Sequence, residues 1–161
     1  AARARREANP EPEAASERFG SRCPICLDDW DVNMGTAVQI CCCKRVCSSC
    51  HEKFRFKTCP LCRTPPPKSA AEDLARLRRH VENDVPEAMF VLGMAYQQED
   101  FGLKRSEKKA VKLYKRAVEN GNVDCMISLG RCYEHGAGVK LDKKKAMQLC
   151  RMAADRGDAV A

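Results

Sequence analysis

The sequence predicts a small cysteine-rich α+β module followed by an all-α solenoid of helical repeats. Nine of the 12 cysteines lie between Cys23 and Cys62. The second half instead repeats a set of apolar and small residues after 36 to 37 positions. Three consecutive prolines at 65–67 separate these parts, because proline lacks a backbone donor and favours an extended chain. We therefore expect a module over residues 21–64, a linker over 65–69 and repeats over 70–161.

The cysteine spacing is typical of structural metal sites. Three pairs have the spacing Cys-x2-Cys, and a run of three cysteines lies between the first and second pair: Cys23/Cys26, Cys47/Cys50, Cys59/Cys62 and Cys41–Cys43. Such a pair places two thiolates about one tetrahedral edge apart, as zinc requires. The pairs and two residues of the run supply enough thiolates for two sites of four. Disulfides are the alternative, but no apolar signal-like segment opens the chain, so a reducing compartment and two Zn²⁺ ions are expected.

The order of these cysteines resembles that of a RING-type zinc finger. The resemblance rests on Cys23-Pro24-Ile25-Cys26 at the start of the module and Cys59-Pro60-Leu61-Cys62-Arg63 at its end, with the cysteine run and the middle pair between them. It implies a zinc-bound RING-like module in which two ions are held in an interleaved, cross-braced arrangement. The ligands it implies are Cys23, Cys26, Cys47 and Cys50 for site 1, and Cys41, Cys43, Cys59 and Cys62 for site 2.

One part of the module departs from the common RING pattern, which has Cys-x-His just before the fifth ligand. No histidine lies there, and Lys44 would take its place if Cys42 were the third ligand. Lysine is protonated at neutral pH and is not a usual zinc ligand. Cys41 and Cys43 fit the usual separations, and Cys42 remains an alternative to either of them. His51 is expected on the surface.

The resemblance implies a ubiquitin ligase that has no catalytic residue of its own. RING domains typically bind a ubiquitin-charged conjugating enzyme (E2), and the chemistry takes place at the cysteine of that partner. Ile25 and Pro60 match the apolar patch that contacts E2, and Arg63 matches the position where an arginine can hydrogen-bond both E2 and ubiquitin. No Ser/His/Asp set, phosphate loop or carboxylate pair stands out in the sequence. The alternative is a zinc-dependent protein-interaction adaptor without ligase activity.

The second half repeats its motifs at helical spacing. The segment Ala88-Met89-x2-Leu92-Gly93-x2-Tyr96 returns as Cys125-Met126-x2-Leu129-Gly130-x2-Tyr133. A period of this length is typical of stacked helix pairs, whose concave surface binds proteins or peptides. These motifs resemble Sel1-like repeats, which are related to the tetratricopeptide solenoids.

The apolar positions and their flanking residues predict where the helices lie. We expect a capping box at Ser69–Glu72 and helices over about 70–83, 86–98, 106–120, 122–134 and 142–156. The first helix is the back half of an earlier unit, because Val81-Glu82-Asn83 matches residues 118–120. Residues 158–161 match the start of another unit, so the last unit is truncated. Cys125, Cys132 and Cys150 are expected to be small buried hydrophobes, and His80 a surface residue without a partner.

The charge pattern makes nucleic-acid binding the weakest hypothesis. The formal charge of +7 arises from 29 basic and 22 acidic residues that are interleaved along the chain, which is typical of solvated helix faces. No apolar run approaches the roughly 18 residues of a membrane span. We expect E2, ubiquitin and a protein or peptide bound by the repeats as partners, in the cytoplasm or nucleus.

The first 20 residues are expected to be disordered, because Phe19 is their one large apolar side chain. Arg3, Arg5 and Arg6 are a weak hint of nuclear import. The sequence begins with Ala1 and not Met, so the removal of an upstream signal stays an alternative.

Overall fold

The computed structural model describes residues 22–28, 36–54 and 57–156. The segment 1–20, for which we expect disorder, lies outside the described residues. The same holds for residues 157–161, which include the expected start of a further unit.

Within the described part of the cysteine module, a β-hairpin is followed by a short helix. Strands β1 (Thr36–Gln39) and β2 (Lys44–Cys47) pair antiparallel, with Gln39 opposite Lys44 at the turn. The N–H of Cys43 donates to the carbonyl of Gln39 at 2.7 Å and closes the turn, and Cys43 has a φ of 54°. Helix α1 (Ser48–Phe54) begins directly after β2. The hairpin thus carries the cysteine run at its tip and Cys47 at its base.

Five helices of 13 residues follow the module. They are α2 (Ala70–Glu82), α3 (Pro86–Gln98), α4 (Glu107–Glu119), α5 (Val123–His135) and α6 (Lys143–Asp155). Each begins and ends within one residue of the range that the apolar pattern predicts. Each of these helices packs against the next along the chain. Within the described ranges, no helix is both long enough and apolar enough to cross a membrane.

Polar side chains fix the start of most of these helices. Four N-cap side chains accept a hydrogen bond from the backbone N–H three residues later: Ser69, Ser106, Asn122 and Asp142. At α2 the expected capping box is only half formed. Ser69 Oγ accepts from Glu72 N at 3.2 Å, but the Glu72 carboxylate accepts from Lys68 N at 2.8 Å and not from the N–H of Ser69. The carboxylate therefore fastens the end of the proline linker to the helix.

In the core of the repeats, a large aromatic side chain of one helix packs against a glycine of the neighbouring helix. Tyr114 of α4 is fully buried, and its hydroxyl donates to Gln97 Oε1 at 2.8 Å. The ring lies against Gly93 of α3, where an added Cβ would be 2.3 Å from Tyr114 Cε1. Cys125 and Cys132 are buried in the same core, as expected for small hydrophobes.

The hairpin packs directly on the first helices of the repeats. Cys43 of the turn and Leu77 of α2 are both buried and belong to one apolar cluster. The other members and their neighbours from the strand, the turn and α3 include Val38, Ile40, Ala88 and Leu92. An ion pair joins Arg45 of β2 to Asp124 at the start of α5. The module and the repeats thus share a core in addition to the linker that the sequence predicts between them.

Candidate metal centre

Two of the cysteine pairs lie in turns that have the same backbone geometry. In residues 23–28, the N–H of the fifth residue donates to the carbonyl of the first at 2.8 Å, and the N–H of the first donates to the carbonyl of the sixth at 2.9 Å. Residues 59–64 make the same two hydrogen bonds at the same distances. The fifth residues, Leu27 and Arg63, have φ values of 64° and 58°. Each turn brings the thiols of its pair together, because the left-handed residue lets the chain reverse tightly around them.

The first cysteine cluster joins one of these turns to the base of the hairpin. Its members are Cys23, Cys26, Cys47 and Cys50, whose Sγ atoms all lie within 4.8 Å of one another. Backbone N–H groups of Cys47 and Cys50 donate to Cys23 Sγ and Cys47 Sγ, each at 3.4 Å. The apolar neighbours are Ile25, Val46 and Leu61. These contacts give the cluster amide donors on one side and a small apolar core on the other.

The second cysteine cluster joins the tip of the hairpin to the other turn. Its members are Cys41, Cys42, Cys59 and Cys62, whose Sγ atoms also lie within 4.8 Å of one another. Cys62 Sγ is 3.4 Å from Cys41 Sγ and 3.1 Å from Thr64 Oγ1. Along the chain the clusters interleave, since the first and third cysteine groups form one cluster and the second and fourth form the other. This is the order that the resemblance to RING domains implies.

Cys43 lies outside both clusters, although spacing favours it as a ligand together with Cys41. Its φ of 54° ends the hairpin turn and directs its side chain into the apolar cluster with Leu77. Burial there raises the pKa of the Cys43 thiol to about 12, which keeps it neutral. The structure thus brings the thiol of Cys42, and not that of Cys43, to the second cluster, whereas spacing favours Cys43. The side chains of neighbouring residues in a tight turn face different directions, and sequence separation does not reveal which cysteine faces the cluster.

The donor set of both clusters suits a soft divalent cation. Burial opposes ionisation of Cys23, but hydrogen bonds led by the N–H of Cys47 outweigh it and lower the pKa of Cys23 to about 6. At Cys62, burial is likewise outweighed by the hydroxyl and N–H of Thr64, and the pKa falls to about 6. Burial, followed by the neighbouring thiols, raises the pKa of Cys41. Four thiolates at this separation repel one another, so each set can be fully ionised only around a cation.

The residues that match the E2-binding positions differ in their surroundings. Pro60 and Arg63 are exposed on the turn of the second cluster. Ile25 is half-buried and packs against the first cluster. Leu27, which directly follows the Cys23/Cys26 pair, is 67% exposed. Ile25 therefore has a structural role that Pro60 and Arg63 do not share.

Two histidines lie near the clusters without joining them. His51 Nδ1 is 3.3 Å from Gln39 Nε2, and the side chain is half-buried. His80 of α2 is also half-buried, and its Nε2 lies 3.2 Å from the carbonyl oxygen of Cys41. The expectation that His80 is a surface residue without a partner is wrong. His80 and Cys41 are 39 positions apart in the chain, and no local pattern in the sequence connects them.

A groove runs from the hairpin onto the surface of the repeats. One part, a cleft of about 290 Å³, lies between α3 and α5, where its lining includes Phe90, Met94, Gln97, Ser128, Arg131 and His135. A second cleft of about 410 Å³ shares Phe90 and Met94 and is closed on its other side by the hairpin residues Thr36, Val38 and Arg45. The module therefore forms one wall of the surface that the repeats present.

Comparison with protein families identifies the second half of the chain. Residues 86–122 and 123–158 each match the family model of the Sel1 repeat. Chitin synthase regulatory factor 3 of Schizosaccharomyces pombe is 34% identical over 74 residues, which are 46% of this chain and 8% of that protein. The prediction of Sel1 repeats is confirmed, and this chain spans a small part of that relative.

Solved structures resemble the repeats as well. A Sel1 repeat protein from Oxalobacter formigenes is 27% identical with a TM-score of 0.51, and the match covers 53% of this chain and 64% of that one. A protective antigen of uropathogenic Escherichia coli with an SLR fold is 30% identical with a TM-score of 0.55, and the match covers 60% and 20%. Cysteine rich protein B of Helicobacter pylori is 22% identical with a TM-score of 0.53, and the match covers 56% and 67%. The predicted all-α repeat solenoid is confirmed.

Proposed function

Because the chain carries Sel1 repeats, we propose that it is a zinc-dependent protein-interaction adaptor. Its cysteine clusters hold two Zn²⁺ ions, and its groove holds a peptide segment of a partner protein. One observation carries this proposal: the hairpin that connects the two clusters also forms a wall of the second cleft of the groove, which shares Phe90 and Met94 with the cleft between α3 and α5. Metal binding therefore shapes the surface on which a partner would lie.

Zinc is the metal that the donor set favours. Four thiolates around a point suit tetrahedral zinc, which needs no redox chemistry and closes structural sites of this kind. The module also has few apolar side chains of its own around the first cluster, namely Ile25, Val46 and Leu61. So small a core does not offset the entropy of folding, and metal binding would supply the remaining free energy.

The lining of the groove suits a peptide that has an apolar anchor and polar flanks. Phe90 and Met94 give it an apolar floor, and methionine adapts readily to different side chains. Gln97 of α3 and Ser128 and Arg131 of α5 supply hydrogen-bonding groups. Such a mixture favours protein partners over small ligands, whose pockets are usually enclosed and mostly apolar.

The adaptor proposal is tested by selecting peptides that bind the zinc-loaded full chain and measuring their affinity for two variants. Met94→Asp puts a charge on the groove floor and should weaken binding at least tenfold, because the apolar anchor would meet a carboxylate. Lys112→Glu changes the charge of an exposed residue on α4, outside the residues that line the groove, and should leave affinity unchanged. Equal affinity for Met94→Asp, with an unaltered unfolding transition, would place binding elsewhere and contradict the proposal.

A RING-type ubiquitin ligase is the second candidate function. It is favoured by the exposure of Pro60 and Arg63 on the turn of the second cluster, at positions where RING domains contact E2 and ubiquitin. The interleaving of the two clusters agrees with that family. Under this hypothesis, the module binds charged E2 and the repeats hold the substrate.

Ligase activity is tested by autoubiquitination with a panel of E2 enzymes. Arg63→Ala should abolish chain formation, because the guanidinium can donate to both E2 and ubiquitin. Arg79→Ala, an exposed arginine of α2, is the matched control and should retain activity. Ile25→Ala is unsuitable, because Ile25 packs against the first cluster and its loss would disturb the fold. Absence of chains with every E2, from protein that holds two zinc ions, would reject the ligase and leave the adaptor.

A further inference from the structure

Helix α2 occupies an unusual place in the repeat stack. A shift of 37 residues aligns it with α4, so that Leu77 corresponds to Tyr114 and Val81 to Val118. In the complete unit, α4 packs against α3, the helix that precedes it. The one helix described before α2 is α1, which contacts the strands of the hairpin. Among the described residues, α2 therefore has no preceding repeat helix of its own.

The side chains of α2 differ from those of α4 where that helix would lie. Ala110 and Ala117 of α4 are fully buried, and their small size lets neighbouring helices approach closely. At the corresponding positions of α2 stand Asp73 and His80, both half-buried. A charged and an aromatic polar side chain are incompatible with such close helix packing. The sequence of α2 is thus adapted to a different neighbour.

That neighbour is the cysteine module. His80 Nε2 contacts the carbonyl oxygen of Cys41 at 3.2 Å, and Cys43 packs in one apolar cluster with Leu77. Arg76 lies on α2 one turn before His80, and a guanidinium N–H of Arg76 donates to the carbonyl of Pro65 at 3.1 Å. The tip of the hairpin and the linker thus cover the side of α2 on which a repeat helix is missing.

We infer that the cysteine module is the N-terminal cap of the repeat stack, and that metal in the second cluster holds this cap in place. The inference rests on the zinc binding proposed above. Three consecutive residues provide the coupling. Cys41 and Cys42 contribute thiols to the second cluster, the Cys41 carbonyl contacts His80 of α2, and the Cys43 side chain lies in the apolar cluster with Leu77. Emptying that cluster frees the hairpin tip and removes the cover of Leu77. A solenoid of so few units depends strongly on such a cap.

Hydrogen exchange of the full-length protein, resolved by helix, tests this inference with three variants. Cys42→Ser removes a ligand of the second cluster and should accelerate exchange in α2 and the first turns of α3 at least tenfold relative to α6. Cys43→Ser should keep both zinc ions but accelerate the same amides, because it places a hydroxyl in the apolar cluster that includes Leu77. Cys26→Ser removes a ligand of the first cluster, whose apolar neighbours are Ile25, Val46 and Leu61 of the module, and should accelerate these amides by less than about threefold.

The outcomes separate this inference from the zinc proposal. If Cys42→Ser loses one zinc ion and α2 exchanges as in the unaltered protein, zinc binding stands and the cap is rejected. If Cys26→Ser and Cys42→Ser accelerate α2 equally, the coupling is not specific to the second cluster and the inference fails. If the unaltered protein binds no zinc, the metal proposal itself fails. Unchanged exchange in Cys43→Ser would also reject the cap.

Discussion

Cys42→Ser is expected to bind one Zn²⁺ ion, whereas the unaltered protein and Cys43→Ser bind two. The reason is geometric, since Cys42 Sγ lies within 4.8 Å of the other three thiols of the second cluster and Cys43 Sγ belongs to the apolar cluster instead. Native mass spectrometry of the zinc-loaded chain gives the count directly. Two ions in Cys42→Ser and one in Cys43→Ser would restore the pair that spacing favours and contradict the geometry.

The expected cost of losing such a site is large. A structural zinc site contributes about 10 kcal/mol or more of folding free energy, which exceeds what the small apolar core of the module can supply. Removal of both ions with a chelator should therefore unfold the described part of the module, residues 22–28, 36–54 and 57–64, with loss of its dispersed amide resonances. Readdition of zinc should restore these resonances, because the free thiols can bind the ion again. Retention of a folded module after complete removal of zinc would show that metal is not structural here.

Gly93→Ala is expected to destabilise the repeats by up to about 2 kcal/mol. Alanine favours a helix over glycine by about 1 kcal/mol, but at this position its Cβ would lie 2.3 Å from Tyr114 Cε1. Tyr114 is fully buried and held by its hydrogen bond to Gln97, so its ring cannot move aside without further loss. Overpacking of this kind costs about 1–3 kcal/mol, occasionally more. Thermal unfolding should show a Tm lowered by roughly 4–8 °C for each kcal/mol of lost stability.

Gly130→Ala is the matched control in the second repeat. A Cβ there would lie 3.5 Å from Cys150 Sγ and from the carbonyl oxygen of Ala146, which are ordinary contacts. The corresponding residue of Tyr114 is Cys150, whose smaller side chain leaves this room. Helix propensity should then dominate and raise stability by up to about 1 kcal/mol. Effects of the same sign and size at Gly93 and Gly130 would disprove the role assigned to the ring of Tyr114.

The repeat half was accessible to sequence reasoning because its determinants are local. Helix bounds follow from apolar spacing and from N-cap side chains such as Ser106 and Asp142, and the repeat period follows from motifs that recur along the chain. Gly93 recurs in this pattern as Gly130, whereas Cys150 stands at the position of Tyr114. The contact between Gly93 and Tyr114 depends on how two helices approach each other. The close packing of the Tyr114 ring on Gly93 could therefore be predicted only after both helices were placed.

The candidate metal centre could be predicted from the sequence in part. Cys-x2-Cys spacing identifies the three pairs, since each pair lies within a single turn. The choice among Cys41, Cys42 and Cys43 depends on the φ of Cys43 and on the apolar cluster it enters. That cluster is formed with Leu77, which lies far away along the chain, so the choice is made by tertiary packing.

By itself, the sequence determined that a cysteine module precedes Sel1 repeats, because cysteine spacing and apolar period are short-range patterns. Only the tertiary structure decided how the two parts meet. It showed that the hairpin covers α2, that His80 contacts Cys41, and that Arg45 pairs with Asp124. These contacts join residues far apart in the chain, and their free energy comes from surfaces that exist only once both parts have folded.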